Sequence, residues 1–200
     1  MDLNRLPILP LGDPGLRMQS LPVKDPADPA VKADAYRLLG VFRAFRNAKG
    51  FGNGIAAPQI GLLKRIIIIG QTSSPLIMVN PEILRLDDQE AGYWESCMCF
   101  PDLMVMTRRL KDISVKYRTL EGKVAVLRDI DPDIAAVIQH EVDHLNGILL
   151  VDRAVDSRGI ISRRAYNKDP GYFLQLCRER DDLREQSCGD SCKGLGSHNP

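Results

Sequence analysis

The 200-residue chain has no long apolar run, no excess charge of one sign and only three histidines. No stretch approaches the roughly 18 consecutive apolar residues of a membrane span. Its 27 basic and 26 acidic side chains lack the basic surplus that is typical of nucleic-acid binding. The first residues show neither the basic start nor the apolar core of a signal peptide. We therefore expect a cytoplasmic protein without a membrane or nucleic-acid partner.

A disulfide framework is also missing from the pattern, because the five cysteines are odd in number and unevenly spread. Reduced thiols are expected, and such thiols serve as metal ligands, nucleophiles or core residues. Cys188 and Cys192 stand near His198, but their spacing fits no familiar metal site. We expect one domain over 1–185 and a flexible polar tail over 186–200.

Apolar periodicity and β-branched runs predict the secondary structure. Helices are predicted at 31–49, 133–149 and, more weakly, 170–186, and strands at 64–70, 76–84 and 112–128, the last with a turn at Glu121-Gly122. Asp131 or Asp133 is expected to cap the second helix. Because strands and helices do not alternate regularly, an α+β fold is favoured. We expect antiparallel or mixed β-sheets around the second helix, with one helix N-terminal and another C-terminal to them.

The sequence QHEVDH at 139–144 carries the strongest chemical signal. His140 and His144 are separated by four residues and lie on one face of a helix, where two imidazoles can bind one metal ion. Glu141 lies about 100° further round and can reach a water on such an ion. The alternative is two histidines on an ordinary helix.

A catalytic metal site of this kind needs a third protein ligand. Leu150 occupies the position where the longer metalloprotease pattern has a third histidine. Asp152 and Asp156 downstream are possible ligands, but the strand-like stretch 94–102 upstream contains a better candidate in Cys97, for which the alternative is a plain core thiol. Within the same stretch, Glu95 is a candidate partner for Arg109 in an ion pair. The alternative is that Arg109 lies at a solvated strand start.

Three stretches together resemble the peptide deformylase family. GNGIAAPQ at 52–59, ESCMC at 95–99 and HEVDH at 140–144 correspond in order to the family motifs GxGxAAxQ, EGCLS and HExDH. The first and third match at every fixed position, and the second keeps Glu95 and Cys97. The resemblance covers roughly residues 5–155, which is most of the chain.

The resemblance implies a metal-dependent hydrolase that removes the N-formyl group from the N-terminal methionine of newly made polypeptides, near the ribosome exit. It implies one divalent ion, commonly Fe²⁺ in the family with zinc, nickel or cobalt also accepted. The implied metal ligands are Cys97, His140 and His144. Glu141 would be the general base and acid, and the oxyanion donors would be Gln59 and the backbone N–H of Met98.

The substrate side of the resemblance concerns four positions. Gly54 lies where family members pair their backbone with that of the peptide. Ala136 and Val137, one turn before His140, are expected to provide an apolar wall on the metal's face. Asn53 occupies a position that is usually apolar in the family, near the pocket for the methionine side chain. It therefore points to a changed substrate preference.

Three further departures fall in the second motif, where Ser96, Met98 and Cys99 replace glycine, leucine and serine. In an extended strand Cys99 would face the same side as Cys97. It is either a small buried residue or the partner of Cys97 in a redox-sensitive site. These departures keep two alternatives open: a related metallo-amidase with another N-acyl or side-chain preference, and a catalytically weak peptide-binding homologue. An endoprotease is disfavoured by Leu150.

Overall fold

The computed structural model describes residues 7–70, 74–85 and 88–180 of the chain. Its first long helix, α1 (Pro29–Lys49), begins at Asp28, whose side chain accepts a hydrogen bond from the Ala30 N–H. The helix ends at Gly50, which takes the left-handed conformation that glycine adopts most easily. The apolar positions that predicted this helix form its inner face, with Val31, Ala35, Leu38, Phe42 and Phe45 buried.

A five-stranded antiparallel sheet lies against α1. Its strands, in the order β1-β2-β3-β6-β7, are β1 (Gly54–Ala56), β2 (Ile66–Ile69), β3 (Leu76–Arg85), β6 (Ile113–Arg118) and β7 (Val124–Leu127). In β2, Ile66 and Ile68 pack in the core that contains α1, whereas Ile67 and Ile69 pack in the core on the opposite face. Four consecutive isoleucines are therefore buried because the strand is covered on both sides.

A three-stranded antiparallel sheet forms the other layer, in the order β4-β5-β8. Its strands are β4 (Glu90–Cys97), β5 (Phe100–Leu110) and β8 (Ile160–Ser162). Cys97 pairs with Phe100, and the two residues between them form a tight turn. The expectation that Cys97 and Cys99 share one extended strand is therefore wrong, because the chain reverses direction between them.

The second long helix, α2 (Pro132–Leu145), packs against β1, β2 and β5. Of the two predicted caps, Asp131 is the one that accepts the Asp133 N–H, at 2.9 Å. The helix ends four residues earlier than its predicted end at 149. Gly147 is left-handed (φ 72°), and the backbone of Arg17 passes where its Cβ would be. A tertiary contact therefore fixes the helix end.

The described chain finishes with two short helical segments after β8, which are α3 (Arg163–Tyr166) and α4 (residues 170–180). The predicted C-terminal helix is thus present over its described part. Among the described residues, no helix is both long and apolar enough to cross a membrane. The predicted tail 186–200, with Cys188 and Cys192, lies outside the described residues, and the single domain over 1–185 stays a prediction.

Gly147→Ala is expected to destabilise the protein by about 1–3 kcal/mol. A Cβ there would lie 2.4 Å from the carbonyl oxygen of Arg17, at a backbone angle that alanine disfavours. Gly40→Ala is the matched control, because Gly40 lies in α1 with nothing within 4 Å of an added Cβ. The control should stabilise the protein by roughly 0.5–1 kcal/mol. Urea unfolding of both variants measures these stability changes, and equal midpoints would contradict the requirement for glycine at position 147.

Candidate active site

The two histidines of the HEVDH motif project from the same face of α2, as their spacing predicts. Their ring centroids are 5.1 Å apart, and both side chains are buried, His144 almost completely. Burial lowers the pKa of His144 well below its usual value. His144 is therefore neutral at physiological pH, which is the state that a metal ligand requires.

His140 is oriented by Glu95 from β4. Its Nδ1 lies 2.8 Å from Glu95 Oε2, so Nδ1–H donates to the carboxylate and Nε2 keeps its lone pair for a ligand. Burial opposes ionisation of Glu95, but the charge of Arg109 and the hydrogen bond from His140 outweigh it and lower the pKa of Glu95 to about 2. The Thr107 hydroxyl also donates to Glu95. An ionised carboxylate therefore holds the imidazole in one tautomer.

Arg109 connects the two elements that carry the site. Its Nε lies 2.7 Å from Glu95 Oε1, and a terminal nitrogen lies 2.6 Å from Asp143 Oδ2 on α2. Arg153 adds a second ion pair to Asp143, at 2.6 Å. Arg109 is only 4% exposed, so it does not lie at a solvated strand start. The predicted Glu95–Arg109 pair is present, and Asp143 extends it into a buried network that was not anticipated.

Three metal-ligating atoms converge beside this network. The sulfurs of Cys97 and Cys99 and a ring nitrogen of His144 all lie within 4.8 Å of one another. Cys97 Sγ lies 3.3 Å from His144 Nε2. Burial raises the pKa of the Cys97 thiol, whereas the hydrogen bond from Cys97 lowers the pKa of Cys99. The predicted proximity of the two thiols holds, although a turn produces it.

The side-chain amide nitrogen of Gln59 points toward the sulfurs of this cluster. The backbone N–H of Ala56 donates to Gln59 Oε1 at 2.7 Å, which fixes the orientation of the amide. Gln59 Nε2 consequently faces the sulfurs of Cys97, at 3.7 Å, and Cys99, at 3.5 Å. The side chain is 1% exposed and rigidly placed as a neutral donor.

Glu141 packs directly against Gly54. A Cβ on Gly54 would lie 2.7 Å from Glu141 Oε1 and 2.8 Å from Val137 Cγ1, so no larger residue fits without moving them. Burial raises the pKa of Glu141 to about 7. Its Oε2 and His144 Nδ1 are buried without a hydrogen-bond partner among the described residues. The carboxyl group is therefore suited to exchange a proton near neutral pH.

These residues open onto a cavity of about 610 Å³. Every proposed catalytic and substrate-binding position lines it, namely Asn53, Gly54, Gln59, Met98, Ala136, Val137 and Glu141, together with the ligand His140. Cys97 and His144 lie behind this surface and are almost fully buried. The expected residues are thus brought together around one space.

Part of the cavity wall was missed by the sequence analysis. Tyr166 at the end of α3 and Leu174, Cys177 and Arg178 of α4 all line it. The indole of Trp94 in β4 donates to the Phe173 carbonyl at 2.8 Å and so fixes α4 over the second sheet. The weak helical pattern after 170 predicted a helix, but it gave no sign of where that helix would pack.

The cluster of Cys97, Cys99 and His144 fits a divalent metal ion, whereas the predicted ligand His140 lies outside this cluster among the described residues. Donors bound to one tetrahedral ion at 2.0–2.3 Å lie roughly 3.3–3.8 Å apart, which includes the observed 3.3 Å between Cys97 Sγ and His144 Nε2. Thiol and imidazole donors suit transition-metal ions. Glu95 supplies to His140 the kind of hydrogen bond that orients a ligating histidine.

The family model for polypeptide deformylase matches residues 5–159. The chain belongs to the peptide deformylase family. It is 34% identical to a Thermotoga peptide deformylase over 153 residues, which cover 76% of this chain and 89% of the relative. The crystal structure of the Thermotoga maritima peptide deformylase matches with a TM-score of 0.68 and 34% identity, over 74% of this chain and 97% of that one.

A further peptide deformylase, from Acinetobacter baumannii, was solved with Met-Ala-Ser bound. It is 33% identical, with a TM-score of 0.65, and the match covers 74% of this chain and 98% of that one. Peptide deformylases are hydrolases that bind a divalent metal and remove the formyl group from the N-terminal methionine of nascent peptides. The α+β fold and this function, both expected from the three motifs, are confirmed.

Asp143→Asn is expected to cost about 3 kcal/mol of stability. The substitution leaves the buried guanidinium of Arg109 with one carboxylate instead of two. Glu82→Gln is the control, because it breaks an ion pair to Lys116 in which both side chains are more than half exposed. That change should cost less than about 1 kcal/mol. Chemical denaturation of the metal-free proteins measures both, and similar losses would refute the importance of the buried network.

Proposed function

We propose that this peptide deformylase binds its ion through Cys97, His140 and His144. The observation that carries the proposal is the arrangement around α2. The two imidazoles project from one face of the helix with ring centroids 5.1 Å apart, His144 Nε2 lies 3.3 Å from Cys97 Sγ, and His140 and Glu141 line the cavity. We further propose Fe²⁺ as the ion used in the cell. Zinc, nickel and cobalt suit the same donors, since thiolate and imidazole bind several of these ions.

A divalent ion bound at these ligands acidifies water and polarises a carbonyl group. Glu141 is proposed to take the proton of the attacking water and to deliver it to the departing amine. Its pKa near 7 supports both transfers at neutral pH. The contact with Gly54 holds the carboxyl group against the cavity, where the formyl carbon would lie.

Gln59 and the backbone N–H of Met98 are proposed to stabilise the developing negative charge on the formyl oxygen. The amide of Gln59 is already oriented by Ala56, so little reorganisation is required when the charge appears. Removal of one such donor typically costs about 2.7–4 kcal/mol of transition-state stabilisation. A neutral amide also avoids holding the carboxylate product, which a lysine or arginine would bind strongly.

The peptide is proposed to lie between the two sheets. β1 is an edge strand of one sheet and β4 is an edge strand of the other, and both border the cavity. An extended peptide can therefore add hydrogen bonds at the edge that contains Gly54. Ala136 and Val137 offer apolar surface for the methionine side chain. The Met-Ala-Ser-bound relative supports a peptide of this kind as the ligand.

The proposed partners are N-formylated chains emerging from the ribosome, and the proposed place of action is the cytoplasm. A second candidate function keeps the same chemistry with another N-acyl or side-chain preference. Asn53 favours it, because this polar residue lines the cavity. A catalytically weak binding protein is less well supported, since Glu141 and Gln59 are both present and correctly placed.

Glu141→Gln is expected to lower the rate of formate release by roughly 10²–10⁴-fold while the bound metal remains. The test uses anaerobically purified, Fe²⁺-loaded protein and formyl-Met-Ala-Ser, with metal content measured on the same samples. Glu121→Gln, on a fully exposed turn, is the control and should leave the rate unchanged. A variant with wild-type turnover would rule out the role of Glu141. Turnover of N-acetyl but not N-formyl peptides by the wild type would favour the second candidate function.

A further inference from the structure

Cys99 is a residue that the deformylase chemistry does not require. It lies in the turn between β4 and β5, is 6% exposed, and replaces the serine of the family motif. Its sulfur converges with Cys97 Sγ and a ring nitrogen of His144, all within 4.8 Å. Donors around one tetrahedral ion lie roughly 3.3–3.8 Å apart. The three donors therefore lie within about 1 Å of the separations that one ion requires.

Its other contacts do not explain a thiol at this position. Cys99 packs in an apolar cluster with Leu16 and Phe100, where alanine or serine would also fit. Its sulfur also lies 3.5 Å from Nε2 of Gln59. An amide N–H directed at a sulfur stabilises the thiolate, which is the form that binds metal. The surroundings thus support a ligand rather than a plain core residue.

We propose that Cys99 is a fourth protein ligand of the ion, and that it competes with water for the coordination position which hydrolysis requires. Together with Cys97, His140 and His144 it completes a Cys₂His₂ set, which is typical of closed zinc sites. The three-ligand state with water is the open, active one. The open state and the ligand role of His140 rest on the function proposed above, whereas the role of Cys99 rests on its cluster with Cys97 and His144.

In the closed state the side-chain amide of Gln59 is also engaged. Nε2 of Gln59 faces both sulfurs at 3.5–3.7 Å, so the amide that would stabilise the oxyanion is directed at the ligating thiolates instead. Release of Cys99 from the ion frees the water position and removes the nearer of the two sulfurs that Gln59 Nε2 faces. Cysteine in place of the family's serine at position 99 therefore adds a ligand that holds the ion and that must leave before water can bind.

The decisive measurement is the number of sulfur neighbours of the metal, obtained by X-ray absorption on protein loaded anaerobically with one equivalent of Zn²⁺ and no peptide. We expect two sulfur neighbours in the wild type and one in Cys99→Ser. Cys177→Ser is the matched control, because Cys177 is another buried thiol that lines the cavity but lies outside the cluster. It should keep two. Cobalt-loaded samples should show a thiolate charge-transfer band about half as intense in Cys99→Ser as in the wild type.

One sulfur neighbour in the wild type overturns the proposal without any variant being needed. Two sulfur neighbours in both the wild type and Cys99→Ser would mean that the second sulfur does not belong to Cys99, and this result would also overturn the proposal. Formate release from formyl-Met-Ala-Ser by the same samples tests the proposed function separately. A site with one sulfur that still releases formate would leave the deformylase function intact while removing Cys99 from the coordination sphere.

Discussion

The buried ion pairs of Arg109 are the interaction on which the rest of the site depends. This guanidinium joins Glu95, in the strand that carries Cys97, to Asp143, in the helix that carries both histidines. Two carboxylates compensate one buried cation, and Arg153 supplies a further positive charge at the edge. Such a network is costly to break because any unpaired member would remain buried. It therefore fixes the distance between the hairpin that carries Cys97 and the helix that carries both histidines.

Glycine at position 54 imposes the second constraint. The side chain of Glu141 occupies the space beside it that a Cβ would need, so strand and helix approach each other more closely than side chains normally permit. The residue that looks like a turn former in the sequence is instead part of a strand. Its small size lets the carboxyl group of Glu141 and the edge strand β1 share one wall of the cavity.

Local patterns in the sequence were sufficient for the helices, the isoleucine strand and the three motifs. The cap at Asp131 and the burial of β2 follow from neighbouring residues alone. The end of α2 did not, because the backbone of Arg17 determines it from more than a hundred residues away.

The residues of the site likewise divide into those that the sequence predicted and those that it did not. Those in motifs could be named from the sequence, and the Glu95–Arg109 pair was anticipated from two neighbouring strands. Asp143 was overlooked, although it lies inside HEVDH, because its role is visible only when α2 meets β5. The wall formed by α4 lies beyond residue 159, where the family match ends, and no motif indicated that it covers the cavity.

The placement of β1 and β4 also bears on how the protein avoids aggregation. Unpaired strand edges invite association with other chains. Here two of them, β1 and β4, border one cavity. Of the two other edges in the described sheets, β8 is three residues long, and β7 is four residues long and is flanked by Lys123 and Arg128, whose charges oppose stacking of like edges. Short outer edges, together with inner edges that border the cavity, thus limit association of these sheets with other chains.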